Sequence, residues 1–492
     1  MERLIILLTV ALTGPVMMLL DFGVQRGNAE AILSDSTAVA TPTPARAESF
    51  PAGKVVERVT TFADVGQSYA LYLPSNYMPS RQWPILYCFD PIARGSMPVK
   101  LFSEAAEKYG WIVVGSNNSR NGPLKASLDA VAAMWEDTHQ RFAIDGKRIY
   151  TTGFSGGARL AVRVNYLCSE NCVAGVIACG AGFPPDIKPS APLPFAVFGM
   201  AGTDDFNFPE LKTLDDALER LGAAHRLAVF DGGHQWSPKE VCTAAVEWME
   251  LQATKTGRRK KDEMLIETLW QKRTAEARSL EAAGKIYEAY KVIAALVPDF
   301  HGLRDVAEFE TKLGQLKEAK IVRAALKDEE EEIKLQRRKA AELVALIERR
   351  KDAENPLLAA SEFRHAVEEL RKKARVPEDS SGRRVARRAL NGVFAQYYEG
   401  ALNLRRRSQD AALMATTLEI AAEIAPDNPQ VQYELACAYA LNAEKKKALA
   451  ALRRAVEKGF KDVSALTSDK ALESLRGEDE YTTLVEKLKV NP

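Results

Sequence analysis

Charge of one sign is what this sequence most lacks: 67 Lys and Arg face 66 Asp and Glu, leaving a net charge of +1 over 492 residues. No global field draws such a chain to nucleic acid or to an anionic membrane. Cysteine is sparse too, and 6 in the whole chain are too few for a disulfide scaffold. Their spacing holds no paired Cys-x2-Cys knuckle, so neither a metal nor a cofactor is implied. Cys168 and Cys172 lie close enough to pair in an oxidising compartment, with two buried thiols as the equal alternative. Histidine is scarcer still, at 5, which leaves few candidates for a proton-transfer base.

The extreme N-terminus departs from this balance. Leu4 to Leu20 is an apolar run of 17 residues behind Arg3, the form of an export-signal h-region and the lower edge of a bilayer span. Residues 1–31 therefore read as a signal peptide or an uncleaved N-terminal membrane anchor, and the bulk is expected outside the cytoplasm, periplasmic or secreted. Ala29-Glu30-Ala31 and Ala45-Arg46-Ala47 both have the small-x-small form of a cleavage site. No cysteine precedes Cys88, which argues against a lipid anchor. Residues 32–53, rich in Ser, Thr, Ala and Pro, read as a flexible linker.

The length calls for at least two domains. Between residues 54 and 251, short β-branched or aromatic runs alternate with helical patterns, the signature of a mostly parallel sheet with helices on both faces. The runs are Ala70–Leu73, Pro84–Phe89, Trp111–Ser116, Arg148–Thr152, Gly175–Cys179, Pro194–Met200 and Arg226–Phe230. Most are apolar throughout, as strands buried on both faces must be. Helices are predicted at Val99–Tyr109, Leu124–Arg141, Gly156–Leu167, Pro209–Leu221 and Pro238–Leu251.

Gly153-Phe154-Ser155-Gly156-Gly157 follows one of these strands and opens a helix, so the G-x-S-x-G spacing sits in the context its chemistry needs. The serine occupies a sharp turn, and side chains two positions before or after it would collide across that turn. A serine hydroxyl needs a base to take its proton. His139, His301 and His365 fall in helical patterns and His225 precedes a strand, whereas His234 follows the last strand, where the chain leaves the nucleophile's edge of the sheet. The acid comes between Ser and His in this fold, and the loop after Pro194–Met200 offers Asp204 and Asp205; Asp231, on the histidine's own loop, ranks third. One oxyanion donor is the backbone N–H of Gly156, and the other belongs to the loop after the third strand. There Pro91 has no N–H, which leaves Ile92 or Ala93, with Ile92 preferred.

With these residues in place, 54–251 resembles the bacterial α/β-hydrolases that include polyhydroxybutyrate depolymerase-like and feruloyl-esterase-like serine esterases. The matching residues are Asp145-Gly146-Lys147-Arg148-Ile149-Tyr150 leading into the Ser155 elbow, the Gly202 to Asp205 loop, and Gly233-His234 with Trp236. The resemblance implies an α/β-hydrolase fold and ester hydrolysis through an acyl-enzyme on Ser155, His234 and Asp205, since a Gly-Thr-x-Asp loop commonly carries the acid in relatives. The chain departs from the pattern at Phe89-Asp90-Pro91-Ile92-Ala93, where many relatives have His-Gly. Gly180 to Leu193 is too short for a helical cap, so an open site for soluble esters or polymer ends is expected. The polar loop Ser116 to Gly122 lies at the active edge and either holds substrate or forms an ordinary turn.

Beyond Gln252 the sequence turns to Ala, Leu, Glu, Lys and Arg, and an all-α region is expected. Residues 428–460 resemble a tetratricopeptide repeat, with Tyr433, Leu435, Ala436, Ala438 and Tyr439 on one helix face and Ala448, Leu449, Leu452 and Ala455 on the next. Ala411 to Pro426 reads as the second helix of an earlier repeat, and Gly284 to Pro298 as a shorter unit. The divisions are 262–326 and 391–490, both tetratricopeptide-like, about a charged helical segment, 327–390. No aromatics interleave with the basic residues there, so nucleic acid is not an expected partner. A protein partner for the repeats stands beside a bland role as spacer or dimer surface. Two rivals to the esterase remain: a peptidase or amidase on the same triad, and an inactive hydrolase-fold binding protein acting through its repeats.

Overall fold

The computed structural model describes residues 50–168, 172–351, 353–407 and 410–490. The N-terminal export and cleavage expectations fall outside the described residues. Contacts divide the chain between Glu330 and Glu331 into two compact units.

The first unit is built on one eight-stranded sheet. In chain order its elements are β1 (Val55–Thr60), β2 (Ser68–Tyr72), β3 (Trp83–Phe89), α1 (Ser96–Tyr109), β4 (Ile112–Ser116), α2 (Leu124–Arg141), β5 (Ile144–Phe154), α3 (Gly156–Leu167), β6 (Gly175–Cys179), β7 (Ala196–Gly202), α4 (Phe208–Arg220), β8 (His225–Phe230) and α5 (Lys239–Lys255). The strand order is β1-β2-β4-β3-β5-β6-β7-β8. β2 runs antiparallel to both β1 and β4, and every other pairing is parallel. This is the α/β-hydrolase fold.

The apolar strand runs are explained by burial on both faces. On β3, Ile85, Tyr87 and Phe89 join Met134 and Trp135 of α2 and Leu160 of α3 in one core. Leu86 and Cys88, one residue out of phase, join Phe102 of α1 and Trp248 of α5 in the other. β1 is the strand without a sequence signal: it lies at the sheet edge, and its Glu57, Arg58 and Thr60 are exposed, so alternation replaces the apolar run. No helix interrupts 180–193 between β6 and β7.

The same unit continues through α6 (Glu263–Ala282), α7 (Ile286–Phe300) and α8 (Ala307–Glu318). Leu251 of α5 shares a core with Ile266, Leu269, Ile293, Leu296 and Phe300. Buried carboxylates tie these helices to the sheet domain. Asp299 accepts from Trp248 Nε1 at 2.6 Å and pairs with Arg226 of β8. Glu247 receives Lys272 of α6 at 2.7 Å, Tyr109 Oη at 2.9 Å and Lys108 at 3.2 Å.

A long helix, α9 (Lys320–Lys351), crosses the division. The second unit then comprises α10 (Pro356–Ala374), α11 (Ser381–Arg406), α12 (Ala411–Ile424), α13 (Pro429–Leu441), α14 (Lys445–Glu457), α15 (Val463–Ser468), a 3-10 turn (Lys470–Leu475) and α16 (Asp479–Val490). Starts follow capping chemistry: the side chains of Asn355, Ser380, Asp410 and Asn428 each accept a backbone N–H of the first turn, and Pro follows Asn355 and Asn428 directly. The charged segment is not wholly solvated as its composition suggests. Leu343 and Ile347 pack against Phe363, Val367 and Leu390, and buried Glu332 binds Arg384 at 2.6 Å and Arg388 at 2.9 Å.

Candidate active site

β5 ends at Phe154 and α3 begins at Gly156, so the whole change of direction falls on Ser155. Its backbone sits at φ 53° and ψ −120°, a conformation side chains resist. The surroundings hold it there: Ser155 N–H donates to the Cys179 carbonyl of β6 at 2.8 Å, and its carbonyl accepts from Ala158 N–H at 3.0 Å. A Cβ at Gly153 would overlap the Gly157 carbonyl oxygen, and one at Gly157 would overlap the carbonyl of Phe89. Glycine at both positions lets strand, turn and helix close on each other.

The ends of β5, β7 and β8 bring three predicted residues together. Ser155 Oγ lies 2.9 Å from His234 Nε2, and His234 Nδ1 lies 2.9 Å from Asp205 Oδ1. Asp205 is fully buried and also accepts Asn207 N–H at 2.8 Å. The carboxylate on His234 is thus Asp205. Its neighbour Asp204 is buried beside it with its N–H on the Gly232 carbonyl at 2.8 Å, and Asp231 accepts the Thr203 hydroxyl at 3.4 Å. These links fasten the acid's loop to the histidine's. The imidazole lies between the rings of Phe206, at 4.2 Å, and Phe154, at 4.6 Å, and the half-exposed Phe206 gives the site an aromatic wall. With Nδ1–H donated to Asp205, Nε2 is left to accept the serine proton.

The other histidines stand apart from this constellation: His139 and His365 on α2 and α10, His225 at the start of β8, and His301 just past α7. Cys179 sits at the end of β6 beside the elbow, and burial pushes its thiol well above 9.0, which keeps it from competing as a thiolate. Among the described residues no group of three or more His, Cys, Asp or Glu converges as a metal site.

The oxyanion side differs from the sequence expectation. Gly156 opens α3, where a first-turn N–H has no helical acceptor. The Ile92 N–H, expected as the second donor, instead donates to Asp90 Oδ1 at 3.0 Å, and the Ala93 N–H goes to the Asp90 carbonyl at 3.2 Å. The cause is Asp90, a residue sequence reasoning passed over. Its buried carboxylate also takes Arg94 Nη2 and Trp236 Nε1, each at 2.9 Å. Asp90 so joins the loop after β3 to the loop carrying His234. The signal was an acidic residue directly before a proline.

No protein-family model matches the chain, and no curated protein does. Solved structures align with less than half of the chain at low identity. An S-formylglutathione hydrolase from Staphylococcus aureus is 12% identical over 40% of this chain and 97% of its own, with a TM-score of 0.33. A feruloyl esterase module from Clostridium thermocellum is 17% identical over 42% of this chain and 87% of its own, with a TM-score of 0.31. Esterase 2 of Thermogutta terrifontis is 13% identical over 44% of this chain and all of its own, 100%, with a TM-score of 0.33.

Proposed function

We propose that the chain is an exported serine hydrolase that cleaves carboxylic esters through Ser155, His234 and Asp205. The observation that carries this reading is the unbroken line of two 2.9 Å hydrogen bonds from Ser155 Oγ through His234 to Asp205 Oδ1, at the strained turn that presents the serine. Ser155 Oγ attacks the ester carbonyl carbon as its proton passes to His234 Nε2. The tetrahedral oxyanion collapses, the alcohol departs with the proton from His234, and an acyl-Ser155 remains. Water then repeats the sequence in reverse, with His234 as base, and releases the acid. Asp205 fixes the imidazole tautomer and stabilises the imidazolium that forms. The Cys168–Cys172 disulfide suits an oxidising compartment and supports export.

The short helices α12, α13 and α14, of 14, 13 and 13 residues with tight turns between them, suit a tetratricopeptide-like array that would bind a protein partner. An inactive binding protein would have no need to keep the three side chains bonded. The test is hydrolysis of short-chain nitrophenyl esters and aminoacyl anilides by the purified chain, with Ser155→Ala and His234→Ala beside it. Ester turnover that falls by about 10⁴-fold or more in both variants supports the proposal. Faster anilide turnover would assign the triad to amide bonds, and equal rates in all three proteins would end the enzyme reading.

A further inference from the structure

The loop after β3 offers the substrate oxygen no free donor. Pro91 has no N–H, and the N–H groups of Ile92 and Ala93 both close onto Asp90, as described above. A single donor at Gly156 is half of what acyl transfer uses, and removing one such donor typically costs about 10²–10³ in rate. Resting on the serine-hydrolase reading, we propose that the side-chain amide of Asn121 is the second oxyanion donor.

Three observations converge on Asn121. Its backbone N–H donates to the Pro91 carbonyl at 2.8 Å, and its neighbour Arg120 forms an antiparallel bridge with Ile92. The loop after β4 is therefore sewn to the loop that lacks a donor. Ser127, in the first turn of α2, fixes the same loop by accepting Arg120 N–H at 3.2 Å and donating to the Arg120 carbonyl at 3.0 Å. The amide itself lies against the residue after the nucleophile: a Cβ at Gly156 would land on Asn121 Oδ1, within 2.8 Å of its Cγ and 3.3 Å of its Nδ2. Glycine at 156 leaves that space to the amide.

Asn121 is half-buried, yet no side-chain hydrogen bond holds its amide among the described residues. Rotation about the Cβ–Cγ bond exchanges Oδ1 and Nδ2 within the same volume and breaks nothing here. Negative charge growing on the substrate oxygen favours the orientation that presents Nδ2–H alongside the Gly156 N–H. The amide does for this site what a backbone N–H of the β3 loop would otherwise do, and Asp90 is free to brace the histidine's loop.

The test compares the full chain with Asn121→Ala, Asn121→Asp and Ser155→Ala on a nitrophenyl ester and its thionoester. Sulfur accepts hydrogen bonds poorly, so an oxyanion donor favours the oxygen substrate. Asn121→Ala should lower kcat on the ester by about 10²-fold or more, with KM little changed, and should shrink the ester-to-thionoester ratio. Asn121→Asp keeps the shape, removes the donor and should do at least as much, so it carries the comparison if the alanine variant does not fold. Ester kcat within about 3-fold of wild type in both variants would overturn the proposal, and so would equal losses on both substrates, the mark of a merely structural amide. A wild type no faster than Ser155→Ala would instead remove the hydrolase reading and the inference with it.

Discussion

At Ser155 the chain accepts a local conformational cost of about 1–3 kcal/mol, and the glycines around it decide whether it can. Gly157→Ala drives a methyl group into the Phe89 carbonyl, which cannot retreat without disturbing a central strand. We expect a loss of about 3 kcal/mol or more in urea unfolding, with activity falling alongside. The two adjacent aspartates should behave differently. Asp205→Asn leaves the packing intact but spoils the tautomer of His234, so kcat should drop by about 10⁴-fold with little change in KM. Asp204→Asn should stay within about 10-fold, since Asp204 is not the carboxylate on His234; a larger loss from Asp204→Asn than from Asp205→Asn would reverse the assignment. Ser155, Asp205 and His234 were readable as candidates because each is bound to a strand end and a chain order. Asp90 was not, because its bond to Trp236 spans 146 positions and no local pattern announces it. Asn121 lay within a polar loop that the sequence singled out, but which of its side chains faces Gly156 is a matter of tertiary packing.

At the scale of elements, the central strands carried apolar runs because both faces are buried; β8, at one edge, kept a short run although only its Phe230 is buried, and β1, at the other edge, carried none. The helices after α5 were read from composition as a separate helical region, and their ties to the sheet domain include, beside the apolar contacts of Leu251, polar bonds distant in sequence: Arg226 and Trp248 to Asp299, and Glu247 to Lys272. The first of these is a buried pair, with side-chain exposures of 10% and 6%. Asp299→Ala leaves the guanidinium without its partner and should cost about 3–5 kcal/mol in urea unfolding. Glu247 gives the junction a pH dependence. Burial acts to raise its pKa, but Lys272, Tyr109 and Lys108 together outweigh that and hold it below its ordinary 4.5. A depressed folded pKa means that its stabilisation is present above the unfolded value and fades as pH falls through the folded one. Stability should therefore decline more steeply below about pH 4.5 in wild type than in Glu247→Gln, as thermal unfolding across that range would register.

For the whole molecule, the redox state and the division of the chain are both testable. Cys88, Cys179, Cys242 and Cys437 are free and buried, and Cys168 is bonded to Cys172. The native protein should resist alkylation, take four alkyl groups when unfolded without reductant and six after reduction; six without reductant would remove the disulfide and the support it lends to export. The division is testable by truncation. A chain that stops at Leu251 leaves Trp248 and Arg226 without Asp299, and Leu251 without Ile266, Ile293 and Phe300. A chain that stops at Glu330 keeps all of these, together with the bond from Tyr287 to Glu329. Conversely, the cores around Phe363 and Leu390 and around Tyr433 and Leu452 lie entirely beyond residue 330. Residues 50–330 should fold and hydrolyse esters with the kcat of the full chain, while residues 50–251 aggregate, and residues 320–490 should unfold in a cooperative transition of their own. If 50–251 proves as active and stable as 50–330, the carboxylates at 247 and 299 are surface decoration and the hydrolase ends where its sheet does.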